Sequence, residues 1–269
     1  MVLNESSHFN GKYEQGSQHH SQLHFFDAAN EDLQVVSARE TNAYSNTEIL
    51  RTMAFIKMES FEKPFVLDMV KVNTQGENQY DLPFHFMGQL IHTNFEHQMP
   101  LKLEALGSDN GYQHLYVEGK GEPSADNTKL SWLRNNQFYT LTSITADKDE
   151  LFFTRLGAKD PQFNLSRDAS FILRRKNTQN TLFVSTMEAH GSYSPVSELS
   201  INAHSAIARL QVVFDSEKYT AVTIENKNGE LGLFIISNKN ESKKEMHTLT
   251  IDTKSYQWTG PYHFVKRKL

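Results

Sequence analysis

Leu231-Gly232-Leu233-Phe234-Ile235-Ile236 is apolar at every position and follows the turn Asn226-Lys227-Asn228-Gly229, which in turn follows the alternating stretch 219–225. Two apolar runs joined by a turn of this kind read as a β-hairpin. A strand with no polar face has to lie between two layers, and Phe65-Val66-Leu67 has the same character. Outward from these runs, period-two alternation recurs along the chain, while sustained helical periodicity hardly appears. Strands are predicted over residues 33–37, 52–57, 65–72, 84–92, 113–118, 138–144, 150–156, 171–176, 181–189, 206–214, 219–225 and 231–237. Turn signals such as Asn73-Thr74-Gln75-Gly76-Glu77-Asn78 and Ser108-Asp109-Asn110-Gly111 separate them. About a dozen strands without intervening helices predict an all-β fold, a large multi-layered antiparallel β-sandwich. It is read as one domain over residues 1–269, with residues 1–22 an irregular, polar lead-in and 238–244 a hairpin loop.

Composition narrows the chemistry. The chain has no cysteine, which removes disulfides, thiolate metal sites and cysteine nucleophiles. A net charge of -5 argues against a nucleic-acid partner, and Lys266-Arg267-Lys268 reads as a solvated tail. The apolar runs fall far short of the roughly 20 residues of a membrane-spanning helix, and no apolar leader follows Met1.

Three stretches carry candidate chemistry. His8, His19, His20 and His24 crowd the first residues near Asp27; a zinc site needs three or four such ligands converging, and surface polar histidines are the plainer reading. In a strand reading of Leu23-His24-Phe25-Phe26-Asp27, His24 and Asp27 point to opposite faces. The run from Asp81 to Phe95 alternates aromatic and polar side chains, which suits a sugar-binding surface and equally a central strand. Glu188-Ala189-His190-Gly191-Ser192-Tyr193-Ser194 places Glu, His, Ser and Tyr together, but without a Gly-x-Ser-x-Gly elbow it reads as a strand ending in a turn. No phosphate-binding Gly loop or His-Glu-x-x-His is present.

The order of segments is more specific than any one of them. Val35-Val36-Ser37-Ala38-Arg39-Glu40-Thr41-Asn42-Ala43-Tyr44, Arg51-Thr52-Met53-Ala54, Lys63-Pro64-Phe65-Val66-Leu67-Asp68 and Gln79-Tyr80-Asp81-Leu82-Pro83-Phe84 come first. Gly88-Gln89-Leu90-Ile91-His92-Thr93, Gly111-Tyr112-Gln113-His114-Leu115, Asn136-Gln137-Phe138-Tyr139-Thr140-Leu141-Thr142, Arg155-Leu156-Gly157-Ala158-Lys159-Asp160-Pro161-Gln162-Phe163-Asn164-Leu165 and Glu188-Ala189-His190-Gly191-Ser192-Tyr193-Ser194-Pro195 follow. Together they resemble the C-terminal part of the oligoalginate lyases of polysaccharide lyase family 17, within the heparinase II/III-like group.

The resemblance implies an α/α toroid followed by a multi-layered β-sheet domain, acting by β-elimination on acidic oligosaccharides of alginate-type uronates. It places the catalytic tyrosine and the carboxylate-neutralising residues on the toroid, which has no counterpart in this sequence. The chain is therefore expected to be inactive alone, with no catalytic residue of its own and a separate or missing toroid as its partner. A non-catalytic carbohydrate-binding or scaffolding module is the rival expectation. The resemblance further implies that Tyr44 contacts substrate and that His8 and Asp27 hold a structural zinc. Its third ligand is expected near Met58, where this sequence has no histidine. An exported or periplasmic parent is implied in the same way.

Overall fold

A computed structural model describes residues 1–156 and 168–268; residues 157–165 of the family-like segment lie outside the described residues. The strands in chain order begin with β1 (Val2–Leu3), β2 (Gln22–Asn30), β3 (Leu33–Glu40), β4 (Thr47–Ile56), β5 (Phe65–Thr74), β6 (Asn78–Phe86), β7 (Gln89–Thr93) and β8 (His97–Gln98). Next come β9 (Leu115–Gly121), β10 (Asn127–Arg134), β11 (Gln137–Ile144), β12 (Glu150–Leu156), β13 (Ala169–Thr178), β14 (Thr181–His190), β15 (Ser192–Ser194) and β16 (Leu199–Ile201). The last are β17 (Ile207–Asp215), β18 (Tyr219–Asn226), β19 (Glu230–Ser237), β20 (Met246–Ile251), β21 (Lys254–Thr259) and β22 (Tyr262–Lys268). Helix is confined to a few turns, and no helix among the described residues is long and apolar enough to cross a membrane.

The antiparallel sheets stack in layers, as expected from the two-faced apolar strands. An eight-stranded sheet, in the order β2-β3-β4-β5-β14-β11-β10-β7, lies at the centre. One face packs against a six-stranded sheet, β1-β6-β13-β12-β9-β8, through Val70, Val72, Leu141 and Phe183 on one side and Tyr80, Leu82, Phe171 and Leu173 on the other. The opposite face packs against a four-stranded sheet, β17-β18-β19-β22, through Phe25, Val35, Ile56 and Leu67 against Ile207, Val222, Ile224 and Phe234. The hairpin β20–β21 then covers the outer side of that third layer with Leu249, Ile251 and Trp258. Alternate residues of β19 thus enter two different cores, which is why 231–236 has no polar position.

Several sequence-based boundaries change. Residues 84–92 are not one strand: β6 belongs to the six-stranded sheet and β7 to the eight-stranded one, with the chain changing layer at Gly88. Gly88 has φ +122°, and a Cβ there would lie 2.2 Å from the Leu133 carbonyl oxygen, so the crossover requires glycine. Residues 238–244 do not close a hairpin, because β19 pairs with β22 and β20 with β21. The end of the chain is no solvated tail: β22 pairs with β19 as far as Lys268, and Arg267 lies over the Tyr256 ring while donating to its hydroxyl (2.7 Å). Within the lead-in, Val2–Leu3 pairs with β6 and Leu3 is buried.

A charged network crosses the six-stranded sheet. Arg174 on β13 donates twice to Asp81 on β6, both at 2.7 Å, and pairs with Glu5 at 2.8 Å; Tyr112 donates to the same aspartate. Fork geometry satisfies the carboxylate, which keeps the buried charges tolerable.

Candidate functional site

The residues singled out in the sequence sit in separate places. Tyr44 is half-buried against the core between the eight- and six-stranded sheets. Its hydroxyl donates to the Ser6 carbonyl (2.8 Å) and accepts from the Leu3 amide (3.2 Å). Burial pushes this phenol up from its ordinary pKa. His8 meets the Tyr44 ring edge-on at 5.1 Å and donates through Nε2 to the Met1 carbonyl (2.9 Å).

Asp27 lies on β2 facing the four-stranded sheet, where it accepts from the Tyr262 hydroxyl (3.1 Å) and from the Ala29 amide (3.1 Å). Burial, with Asp27 beside it, pushes the Tyr262 phenol up to about 12. His24 turns to the same side as Asp27, against the strand-parity expectation. The register slips between Leu23 and Phe25, so His24 is an extra residue in the strand and is free to turn inward, where Nε2 donates to the Ser237 carbonyl (3.1 Å). His8 and Asp27 therefore have different partners, and Met58, at the expected place of a third ligand, is buried in the core. No group of three or more His, Cys, Asp or Glu among the described residues is arranged to hold a metal. These residues do not fit a zinc ion.

The cluster around His190 is structural. Its Nε2 bonds Thr140 Oγ1 (2.8 Å) and its Nδ1 the Asn202 carbonyl (2.8 Å), while Glu188 accepts from Ser205 Oγ and from the Ala206 amide. Both histidine nitrogens are committed, and the Thr140 hydroxyl on Nε2 is itself buried and bonded to Ser131 Oγ.

What remains is a surface. On the side facing the six-stranded sheet, the register aligns Phe26, Val36 and Met53 across β2, β3 and β4, and Phe55, Val66 and Met187 across β4, β5 and β14. All of these except half-buried Val66 are exposed, because the six-stranded sheet covers only the far half of this face. Exposed Leu23 extends the stripe, and Arg51 and Asp68 form a bidentate pair within it. Apolar surface left open in this way is a candidate interaction surface. At its end, Met187 lines a cavity of about 480 Å³ beside the layer change at Gly88, together with His85, Phe86, Met87, Trp132, Arg134, Tyr139 and Asp168. The aromatic-polar run of the sequence analysis thus contributes to a cavity wall through His85, Phe86 and Met87, by ending a strand rather than by forming a continuous one. Trp132 and Arg134 carried no signal in the sequence, and Tyr139 entered only as part of the predicted strand 138–144 and the segment 136–142.

No protein-family profile matches the chain. It is 32% identical over 266 residues to an alginate lyase of Stenotrophomonas maltophilia, which spans 97% of this chain and 35% of that protein. It is 30% identical over 274 residues to an exo-oligoalginate lyase of Saccharophagus degradans, spanning all of this chain and 36% of that protein. Among solved structures, a heparinase III aligns with 93% of this chain and 28% of its own at 8% identity and a TM-score of 0.47. A heparan sulfate lyase HepC mutant from Pedobacter heparinus aligns with 90% of this chain and 28% of its own at 13% identity and a TM-score of 0.43. The chain spans about a third of the length of the curated relatives it matches. By sequence it is a relative of alginate and oligoalginate lyases along essentially its whole length.

Proposed function

We propose that this chain is the β-sheet portion of a polysaccharide lyase that cleaves alginate-type uronate oligosaccharides by β-elimination in an exported or periplasmic setting. In that reaction a base removes the proton beside the uronate carboxyl, the electron pair forms a ring double bond, and the glycosidic oxygen leaves with a proton. The step needs the neighbouring carboxylate neutralised by donors.

The observation that carries the reading is the relation to alginate lyases, which runs through the chain yet accounts for about a third of each relative. The stripe Leu23, Phe26, Val36, Met53, Phe55 supports the second half of the proposal, that an α/α toroid packs here and brings the base and carboxylate donors. Tyr44 enters as a substrate contact through the resemblance; with its hydroxyl held by Leu3 and Ser6, the ring is what it offers a sugar.

The test is absorbance of the unsaturated product. The chain alone, incubated with alginate oligosaccharides, is expected to give none, and addition of the toroid portion of a related alginate lyase is expected to give turnover. Cleavage by the chain alone overturns the assignment of the base to another domain. Tight uronate binding with no cleavage in the reconstituted pair favours a carbohydrate-binding module instead.

A further inference from the structure

The layer change at Gly88 builds a cavity as well as a crossover. A Cβ on Gly88 would run into the Leu133 carbonyl and the Arg134 Cβ, so the glycine lets the end of β6 approach the β10–β11 turn. The Phe86 ring lies 5.4 Å from Trp132, and Trp132 stacks on Tyr139 at 5.6 Å with planes 15° apart. Trp132 is buried while Phe86 and Tyr139 keep part of their surface open to the cavity. His85 and Arg134 are exposed at the same cavity, and Arg134 has no ion pair among the described residues. Its volume, about 480 Å³, lies within the range of small-molecule sites.

An aromatic wall, one guanidinium, one imidazole and one carboxylate form a particular combination. A uronate carries a carboxylate, adjacent hydroxyls and an apolar C–H face, and each has its counterpart here. We propose that this cavity is a subsite for one uronate unit of an acidic oligosaccharide. Arg134 takes the carboxylate through its planar fork, Asp168 and His85 take hydroxyls, and Phe86 and Tyr139 take the C–H face. Phe86 also borders a second cavity of about 210 Å³, lined by Leu90, His97, Phe153 and the Arg155–Glu118 pair. His97 Nδ1 is buried beside it without a hydrogen-bond partner. The identity of the ligand as an acidic sugar rests on the lyase reading; the place of the site rests on the geometry alone.

The chain has two tryptophans, and Trp258→Phe leaves Trp132 as the sole reporter. Mannuronate and guluronate tetramers, with cellotetraose as the neutral control, are titrated into this variant while Trp132 emission is followed. Either uronate tetramer is expected to give a saturable change, and cellotetraose at least tenfold weaker binding. R134A is expected to weaken uronate binding at least tenfold with the melting temperature unchanged, and R134K to recover part of the loss. Uronate binding as tight in R134A as in its parent, equal binding of cellotetraose, or no uronate-dependent change in Trp132 overturns the subsite. Turnover in the toroid-supplemented pair that is indifferent to R134A removes the subsite and leaves the lyase reading standing.

Discussion

Neighbouring residues on the central sheet have opposite fates. Phe25 is 4% exposed and Phe26 57%; Val35 is 1% and Val36 38%; Ala54 is 1% and Phe55 42%. The first of each pair faces the four-stranded sheet, which covers β2, β3 and β4, and the second faces the six-stranded sheet, which does not reach them. Both faces are apolar, so composition does not distinguish a sealed core from an open surface. The difference lies in what is stacked on top: one face carries the four-stranded sheet and the other is left open over β2, β3 and β4.

Substitution on the two faces gives the largest contrast. Phe234→Ala, in the sealed layer against Tyr262, is expected to cost about 3–5 kcal/mol in urea unfolding. Equal losses for F234A and an open-face variant would erase the distinction.

The next effect concerns the outer edge of the sealed side. Burial holds His24, His247 and His263 below the ordinary histidine pKa. The folded chain keeps them neutral while the unfolded chain takes up protons near roughly pH 6.5. Stability is therefore full above that value and falls as pH drops through it towards the lowered folded pKa values. His247 and His263 both stack with Trp258, at 5.2 Å and 5.8 Å, so acid is expected to loosen the β20–β21 hairpin first. A melting temperature and Trp258 emission that stay flat from pH 7.5 to 5 would contradict this.

Smaller still is the response of the open face. Phe55→Ser is expected to change the stability of the isolated chain by no more than about 0.5 kcal/mol while weakening its association with a toroid. A loss of several kcal/mol would mean that this face is already packed. Last, chelation by EDTA is expected to leave the melting temperature where it is, since His8 and Asp27 have other partners. A fall that zinc restores would place an ion among them.

Much of the β architecture was legible, and the failures share physical causes. β10 has a weak strand pattern because Asn127, Thr128 and Ser131 have the character of loop residues, yet they are buried. Thr128 bonds Thr145 and Ser131 bonds Thr140 across the strand pair, while the Asn127 side chain bonds the Leu210 backbone. Ser37–Thr52, Ser143–Ser185 and Thr154–Ser170 repeat the device, so hydroxyls that satisfy one another in the interior read as surface. β20 has a weak pattern for a related reason: its inward face, His247, Leu249 and Ile251, begins with a histidine. The break at Gly88 had a signal, a glycine inside a strand pattern, but the register that turns it into a layer change is long-range.

The sequence by itself determined that the chain is all-β and layered, because two-faced apolar strands such as Leu231-Gly232-Leu233-Phe234-Ile235-Ile236 can be satisfied only between sheets. It also carried the relation to alginate lyases, because ordered segments survive where no single motif stands out. Only the tertiary structure decided which apolar face stays open, that His8 and Asp27 have separate partners, and that Arg134 meets Tyr139 and Phe86 at one cavity. These depend on pairing between strands distant in sequence, and on a bulge and a crossover that shift side chains by one position. Local patterns, which repeat every two residues, do not encode those offsets.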